Sequence, residues 1–125
     1  MGLTHKPLLV KESRKSSGSR EIEFLIDSGA VHSVVPSEVL VELGIEAYKS
    51  VTFVLADGSK VERQVGDAYF EYRGDGGAAP VIFGQPGDEP LLDATTLESL
   101  GLVLNPLRRE LYPMRMMLAR ASLVG

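Results

Sequence analysis

The 125-residue chain is long enough for one compact domain, carries a formal net charge of −4 and contains no cysteine. This composition excludes disulfides and thiolate metal sites, and the negative charge argues against nucleic acid as the main partner. The two histidines, His5 and His32, are too few and too far apart for a zinc site, and no stretch is apolar enough to span a bilayer. We therefore expect one globular domain over residues 1–125, cytoplasmic, with no metal, no cofactor, and neither nucleic acid nor membrane as a partner.

Thirteen glycines and seven prolines separate short apolar runs, which predicts many short strands joined by turns. In chain order, the predicted strands are 7–12, 20–26, 33–36, two strands within 50–66, 67–73, 80–83, a strand that ends at 91–92, 102–106 and 109–113. The glycine-rich segment 74–79 is predicted as a flexible turn, and 114–125 is left open as strand or short helix. These segments predict a mostly-β sandwich or barrel, and we expect a closed or partly open barrel.

Two segments have the apolar spacing and the end signals of short helices. Near 37–43, Ser37 is the predicted N-cap, and leucines follow at helical spacing. Near 94–100, the spacing from Thr95 to Glu98 predicts a capping box. A glycine follows each segment and marks its end.

One carboxylate follows directly on an apolar run. Residues 24–26 are predicted to end a strand, which continues at once into Asp27-Ser28-Gly29-Ala30 before a second apolar run at 34–35. A carboxylate between two buried stretches is costly unless it is paired, hydrogen-bonded or protonated. It belongs to the only Asp-Ser-Gly or Asp-Thr-Gly tripeptide in the chain.

The order of these segments resembles the retropepsin-like, or retroviral-type, aspartic proteases, including their bacterial single-domain members. The strand followed by Asp27, Ser28, Gly29 and Ala30 is similar to the active-site turn of that family. The hairpin "VLADGSKVE", with Ala56, Asp57 and Gly58 at its tip, is similar to the flap. The segment "EPLLDATTLESLGLVLNP" is similar to the strand and helix that follow the flap, and the resemblance covers about residues 20–113.

This resemblance implies an aspartic endopeptidase that acts on polypeptides. In such enzymes two aspartates share a proton and activate a water molecule that attacks the peptide carbonyl, without a covalent intermediate. Because the chain has a single such turn, the resemblance implies a homodimer to which each chain contributes Asp27. The flap would close over the bound peptide. Gly29 would adopt a turn conformation that a β-carbon resists, and the Ser28 hydroxyl would hydrogen-bond within the turn.

Three alternatives stay open at the level of sequence. Asp27 could be an ordinary turn residue, or Ser28 could be a nucleophile with His32 as its base, although the Gly-x-Ser-x-Gly pattern is absent. The third is a catalytically inactive retropepsin-like module for peptide binding or dimerisation. Asp93 favours it, because the family usually has glycine there and a charge would lie near the catalytic carboxylates. Asp93→Gly would then raise activity or leave it unchanged.

Overall fold

Within residues 3–114, the computed structural model has nine strands and two short helices. The strands are β1 (His5–Lys11), β2 (Ser19–Ile26), β3 (Ser33–Pro36), β4 (Lys49–Val54), β5 (Lys60–Tyr72), β6 (Asp75–Gly84), β7 (Leu91–Leu92), β8 (Leu102–Asn105) and β9 (Glu110–Pro113). The helices are α1 (Ser37–Glu42) and α2 (Ala94–Ser99). The choice between strand and short helix for 114–125 is not tested, because the residues after Met114 lie outside the described ones.

Seven of these strands form one sheet in the order β1-β2-β7-β3-β6-β5-β4, and β8 pairs with β9 separately. β2 runs parallel to β7 and β3 runs parallel to β6, whereas the other pairings are antiparallel. β1 also pairs with β5, so the sheet curls back on itself, but among the described strands β4 has only β5 as a neighbour. The prediction of a mostly-β fold with two short helices is confirmed, and of the closed and partly open forms that it allowed, the sheet is not closed.

The core lies between the curled sheet and α2 and consists of alternate side chains of the strands. Phe24 of β2 and Phe70 of β5 are fully buried and meet edge to face, with ring centroids 5.9 Å apart. Leu97 and Leu100 contribute the buried face of α2. This packing fixes the end of β2 at Ile26, the residue before the candidate site.

β5 is one continuous strand, although the sequence pattern divided it at residue 66. Its alternation of buried and exposed side chains changes phase between Val65 and Gly66, which are both buried. Beyond this point, Ala68 and Phe70 face the core, whereas Val61 and Arg63 are half-buried on the opposite face. This change of phase has a tertiary cause. In the sequence it gives the pattern expected where one strand ends and another begins.

The sequence predicts a turn at 74–79. In the structure it consists of Arg73 and Gly74 alone, with positive φ angles of 49° and 88°, respectively. The following glycines belong to β6 instead of a loop. A β-carbon at Gly77 would overlap the carbonyl group of Ser99, so glycine there permits the close approach of α2 to the sheet. The glycines that suggested flexibility therefore serve packing.

Both helix caps differ from the predicted ones. α1 begins after Pro36, which makes no side-chain capping hydrogen bond, so Ser37 is the first helical residue rather than the N-cap. α2 has Asp93 as its N-cap, and the Thr96 N–H group donates to Asp93 Oδ1 at 2.8 Å. The predicted capping box starting at Thr95 is wrong, because an aspartate two residues earlier accepts this bond.

The Asp93 carboxylate belongs to a buried polar network between β3 and α2. The Ser33 hydroxyl donates to Asp93 Oδ1 at 3.1 Å and accepts from the Asp93 N–H group at 3.0 Å. The Ser33 and Thr96 hydroxyl oxygens lie 2.7 Å apart, and Ser33, Asp93 and Thr96 are 0%, 4% and 1% exposed. With φ at −89° and ψ at 171°, Asp93 has ordinary extended backbone that does not require glycine.

This network changes the expectation for Asp93→Gly. The substitution removes the acceptor of the Ser33 hydroxyl and of the Thr96 N–H group, and both donors would remain buried. We expect it to lower the free energy of unfolding by about 1–3 kcal/mol, measured by urea denaturation. Asp93→Asn keeps one acceptor oxygen and should lose less than about 1 kcal/mol. Equal stability of Asp93→Gly and wild type would contradict the assigned role.

Candidate active site

The main chain of Asp27 is held where β2 leaves the sheet. The Asp27 N–H group donates to the Leu92 carbonyl of β7 at 3.0 Å, which continues the parallel pairing of β2 with β7. One residue earlier, the Ile26 N–H group donates to the Thr4 carbonyl at 2.8 Å. On the other side, the Ala30 N–H group donates to the Asp27 carbonyl at 3.1 Å and closes the turn. These bonds give Asp27 a defined place at the sheet end.

The Asp27 carboxylate accepts a hydrogen bond from the Gly29 N–H group at 2.9 Å, within the turn itself. Asp27 is half-buried in the single chain, although apolar runs flank it on both sides. Gly29 does not have positive φ, and a β-carbon there would lie 3.4 Å from Asp27 Oδ1. The backbone of the isolated chain therefore does not explain the glycine.

Ser28 is exposed beside the turn. Within residues 3–114 its hydroxyl has no hydrogen-bond partner, so the expected bond inside the turn is absent from the single chain. Ser28 lines a cavity of about 250 Å³ whose other walls are largely apolar, including Leu97, Leu102 and Leu104. The residue thus faces a cleft between the turn, α2 and β8.

His32 lies beneath the predicted flap hairpin. Its ring meets the Phe53 ring of β4 edge to face, with centroids 5.5 Å apart and an interplanar angle of 80°. The His32 Nδ1 atom is buried and has no hydrogen-bond partner in the described part of the chain. No bond links His32 to Ser28 there, so the geometry gives no support to a serine nucleophile with a histidine base.

The tip of the β4–β5 hairpin contains the three predicted flap residues, Ala56, Asp57 and Gly58, all exposed. The Gly58 N–H group donates to the Leu55 carbonyl at 2.9 Å, and a φ of 88° makes glycine the favoured residue there. The Ser59 hydroxyl and N–H group donate to Asp57 Oδ1 at 2.6 Å and 2.9 Å. These bonds lower the pKa of the Asp57 carboxyl, so the tip retains its negative charge in mild acid.

The contact of Phe53 with His32 brings the hairpin beside the turn that carries Asp27. Sequence reasoning missed this contact, because the two aromatic rings belong to segments without a common periodic pattern. Across residues 3–114, no group of three or more histidine, aspartate or glutamate side chains is arranged to hold a metal ion. Nor does the same part of the chain contain a helix of the length and apolarity needed to cross a bilayer.

Comparisons with known proteins place this geometry in a structural context. Neither a protein-family model nor a curated protein matches the sequence. Among solved structures, the solution structure of the simian foamy virus (mac) protease is similar to this chain with a TM-score of 0.51 and 20% sequence identity. The similarity covers 74% of this chain and 92% of the viral one. The chain therefore has a retroviral-protease fold, and the comparison gives no support to a bacterial single-domain type in particular.

Proposed function

We propose that the protein is an aspartic endopeptidase, with residues 1–125 forming one retropepsin-like domain. The observation that carries this proposal is the placement of Asp27. Its main chain is fixed by Leu92 and Ala30, and its carboxylate is bound by one N–H group and remains partly accessible. A carboxylate held in this way can meet a second one, a water molecule and a peptide.

The chemistry needs two such carboxylates. With one Asp-Ser-Gly turn in the sequence, the second Asp27 comes from another copy of the chain in a homodimer. Two carboxylates in close contact hold one proton between them. The ionised member takes a proton from water, while the protonated member donates a hydrogen bond to the scissile carbonyl. The flap, with Ala56, Asp57 and Gly58 at its tip, would cover the peptide and exclude bulk water.

Exposed apolar side chains near the turn support a surface that is covered in the working protein. Val31, which follows the Asp27-to-Ala30 turn, is 79% exposed, and Val54 and Leu55 beside the hairpin tip are 66% and 46% exposed. The hairpin that carries Val54 and Leu55 contacts the segment after Val31 through Phe53 and His32. Exposed apolar groups that lie together favour contact with a partner or a ligand. A polypeptide substrate and a second copy are the two occupants that the proposal requires.

The inactive binding or dimerisation module was favoured by Asp93. In the structure that carboxylate caps α2 and binds Ser33, so it has a stabilising role that is compatible with either function. No other observation favours the inactive module. The cytoplasmic location stays a prediction.

Asp27→Asn should lower the rate of cleavage of an unfolded protein substrate about a hundredfold to ten-thousandfold. Asparagine still accepts the Gly29 hydrogen bond but cannot act as the base or share a proton. Stability should stay within about 1 kcal/mol of wild type. The matched control is Asp75→Asn, which changes a half-buried carboxylate at the start of β6, opposite Tyr72 at the end of β5. Cleavage by Asp27→Asn at the wild-type rate would refute the proposal.

The pH profile of kcat/KM should be bell-shaped, with its maximum between acidic and near-neutral pH. At lower pH both carboxylates are protonated and no base remains, whereas at higher pH both are ionised and no acid remains. Cleavage assays across this range test the profile, and Asp75→Asn should leave it unchanged. A rate that rises steadily into alkaline solution would instead indicate a different nucleophile.

Sedimentation equilibrium should show a monomer–dimer equilibrium that shifts towards the dimer when a peptide substrate analogue is added, because the peptide would contact both chains. The experiment is best done with Asp27→Asn, which cannot consume the peptide. A sample that stays monomeric at high concentration, with peptide as well as without it, would exclude the shared site.

A further inference from the structure

The outer part of the β4–β5 hairpin extends beyond the core as two strands. In this region β4 pairs with β5 alone, and the alternate residues Val51, Phe53, Val61 and Arg63 are half-buried on one face, which we call the inner face. A two-stranded hairpin by itself is marginally stable in water. The order of its tip therefore depends on what the inner face contacts.

One such contact is a bidentate ion pair. Arg63 Nε lies 2.8 Å from Asp88 Oδ2, and Arg63 Nη2 lies 3.1 Å from Asp88 Oδ1. The two side chains are 21% and 28% exposed, which is less accessible than the other carboxylate–arginine pair in the described residues, Arg20 with Glu42. Partial burial and two parallel hydrogen bonds give this pair more strength and direction than a solvated pair.

Each partner of the ion pair makes a further hydrogen bond. The Gln85 N–H group donates to Asp88 Oδ2 at 2.8 Å, and the Asp88 N–H group returns a bond to the Gln85 carbonyl at 2.9 Å. The guanidinium of Arg63 also donates to the Glu62 carbonyl at 3.0 Å. The loop after β6 thus holds the Asp88 carboxylate in the same arrangement in which it binds the Arg63 guanidinium.

The second contact of the inner face is Phe53 on His32. In the strand register Phe53 is opposite Val61 and Arg63 is opposite Val51, so the two contacts occupy diagonal positions of the hairpin. One attaches it to the segment after Asp27 and the other to the loop after β6. Because the two contacts lie on different strands, they oppose rotation of the hairpin as well as movement of its tip away from the domain.

We propose that Arg63 is a positioning residue for the flap: its ion pair with Asp88 docks the hairpin on the loop 85–88 and orders the tip residues 56–58, which the proposed function places over the Asp27 turn. This inference rests on the proposed function for its catalytic meaning, whereas the docking itself is a property of the single chain. Arg63 touches no reacting atom in this assignment and acts through the hairpin.

The test is amide hydrogen exchange in the full chain at Leu55 and Gly58, whose N–H groups donate to the Ser59 and Leu55 carbonyls at the hairpin tip. Arg63→Gln and Asp88→Asn should each accelerate exchange there about fivefold, the factor that corresponds to roughly 1 kcal/mol of lost docking. Asp88→Asn retains an acceptor for the Gln85 N–H group and so isolates the ion pair. Arg63→Lys keeps the charge but not the bidentate geometry and should fall between wild type and Arg63→Gln.

The matched control is Arg20→Gln, which removes the exposed Arg20–Glu42 pair and should leave exchange at the hairpin tip unchanged. Core amides, such as those of Val10 and Phe70, exchange when the whole domain unfolds, so they should exchange much more slowly than the hairpin tip in every variant. Wild-type exchange at Leu55 and Gly58 in Arg63→Gln, or tip exchange as slow as that of the core, would overturn the proposal.

Activity provides a second measurement that separates the two hypotheses. If wild type cleaves a peptide, kcat/KM should fall in the order wild type, Arg63→Lys, Arg63→Gln, in parallel with the exchange rates. If wild type cleaves nothing, the proposed function fails, while hydrogen exchange still decides whether the ion pair docks the hairpin. Cleavage unaffected by variants that do loosen the tip would overturn the positioning role.

Discussion

The parallel pairing of β2 with β7 is the constraint on which the candidate site depends. Ile26 lies opposite Leu92, so Asp27 and Asp93 leave the sheet at equivalent positions of neighbouring strands. The chain uses these two carboxylates differently. Asp93 turns to α2, where it is buried and accepts two hydrogen bonds, whereas Asp27 remains at the sheet end with one N–H donor. Burial with partners gives a structural role, and partial exposure leaves a carboxylate available for chemistry.

The single chain does not contain all the groups that the proposed chemistry requires. Asp27 lacks the second carboxylate that shared-proton chemistry requires, the Ser28 hydroxyl has no partner within residues 3–114, and the Gly29 backbone has no need for glycine. A second copy at the turn would supply the second carboxylate and would lie beside the exposed Ser28 and Gly29. The homodimer is therefore the simplest proposal that accounts for all three residues together.

The hairpin adds a second level of organisation. In its core half β5 also pairs with β6, whereas in the outer half β4 and β5 pair only with each other and contact the body of the domain through Phe53 and Arg63. The change of burial phase at Val65 and Gly66 marks the border between these halves. A cover over an active site must be ordered enough to bind and loose enough to open, and a few polar or aromatic contacts meet that requirement better than continuous apolar packing.

The sequence by itself determined the mostly-β class, the two short helices and the turn at Asp57-Gly58, because alternation, apolar spacing and turn residues are local properties. It also singled out Asp27, through a carboxylate placed directly after an apolar run. Only the tertiary structure decided the role of Asp93, the continuity of β5, and the contacts of His32 with Phe53 and of Arg63 with Asp88. These features join residues far apart in the chain, and no local periodicity encodes which distant partner satisfies a buried polar group or covers an exposed face.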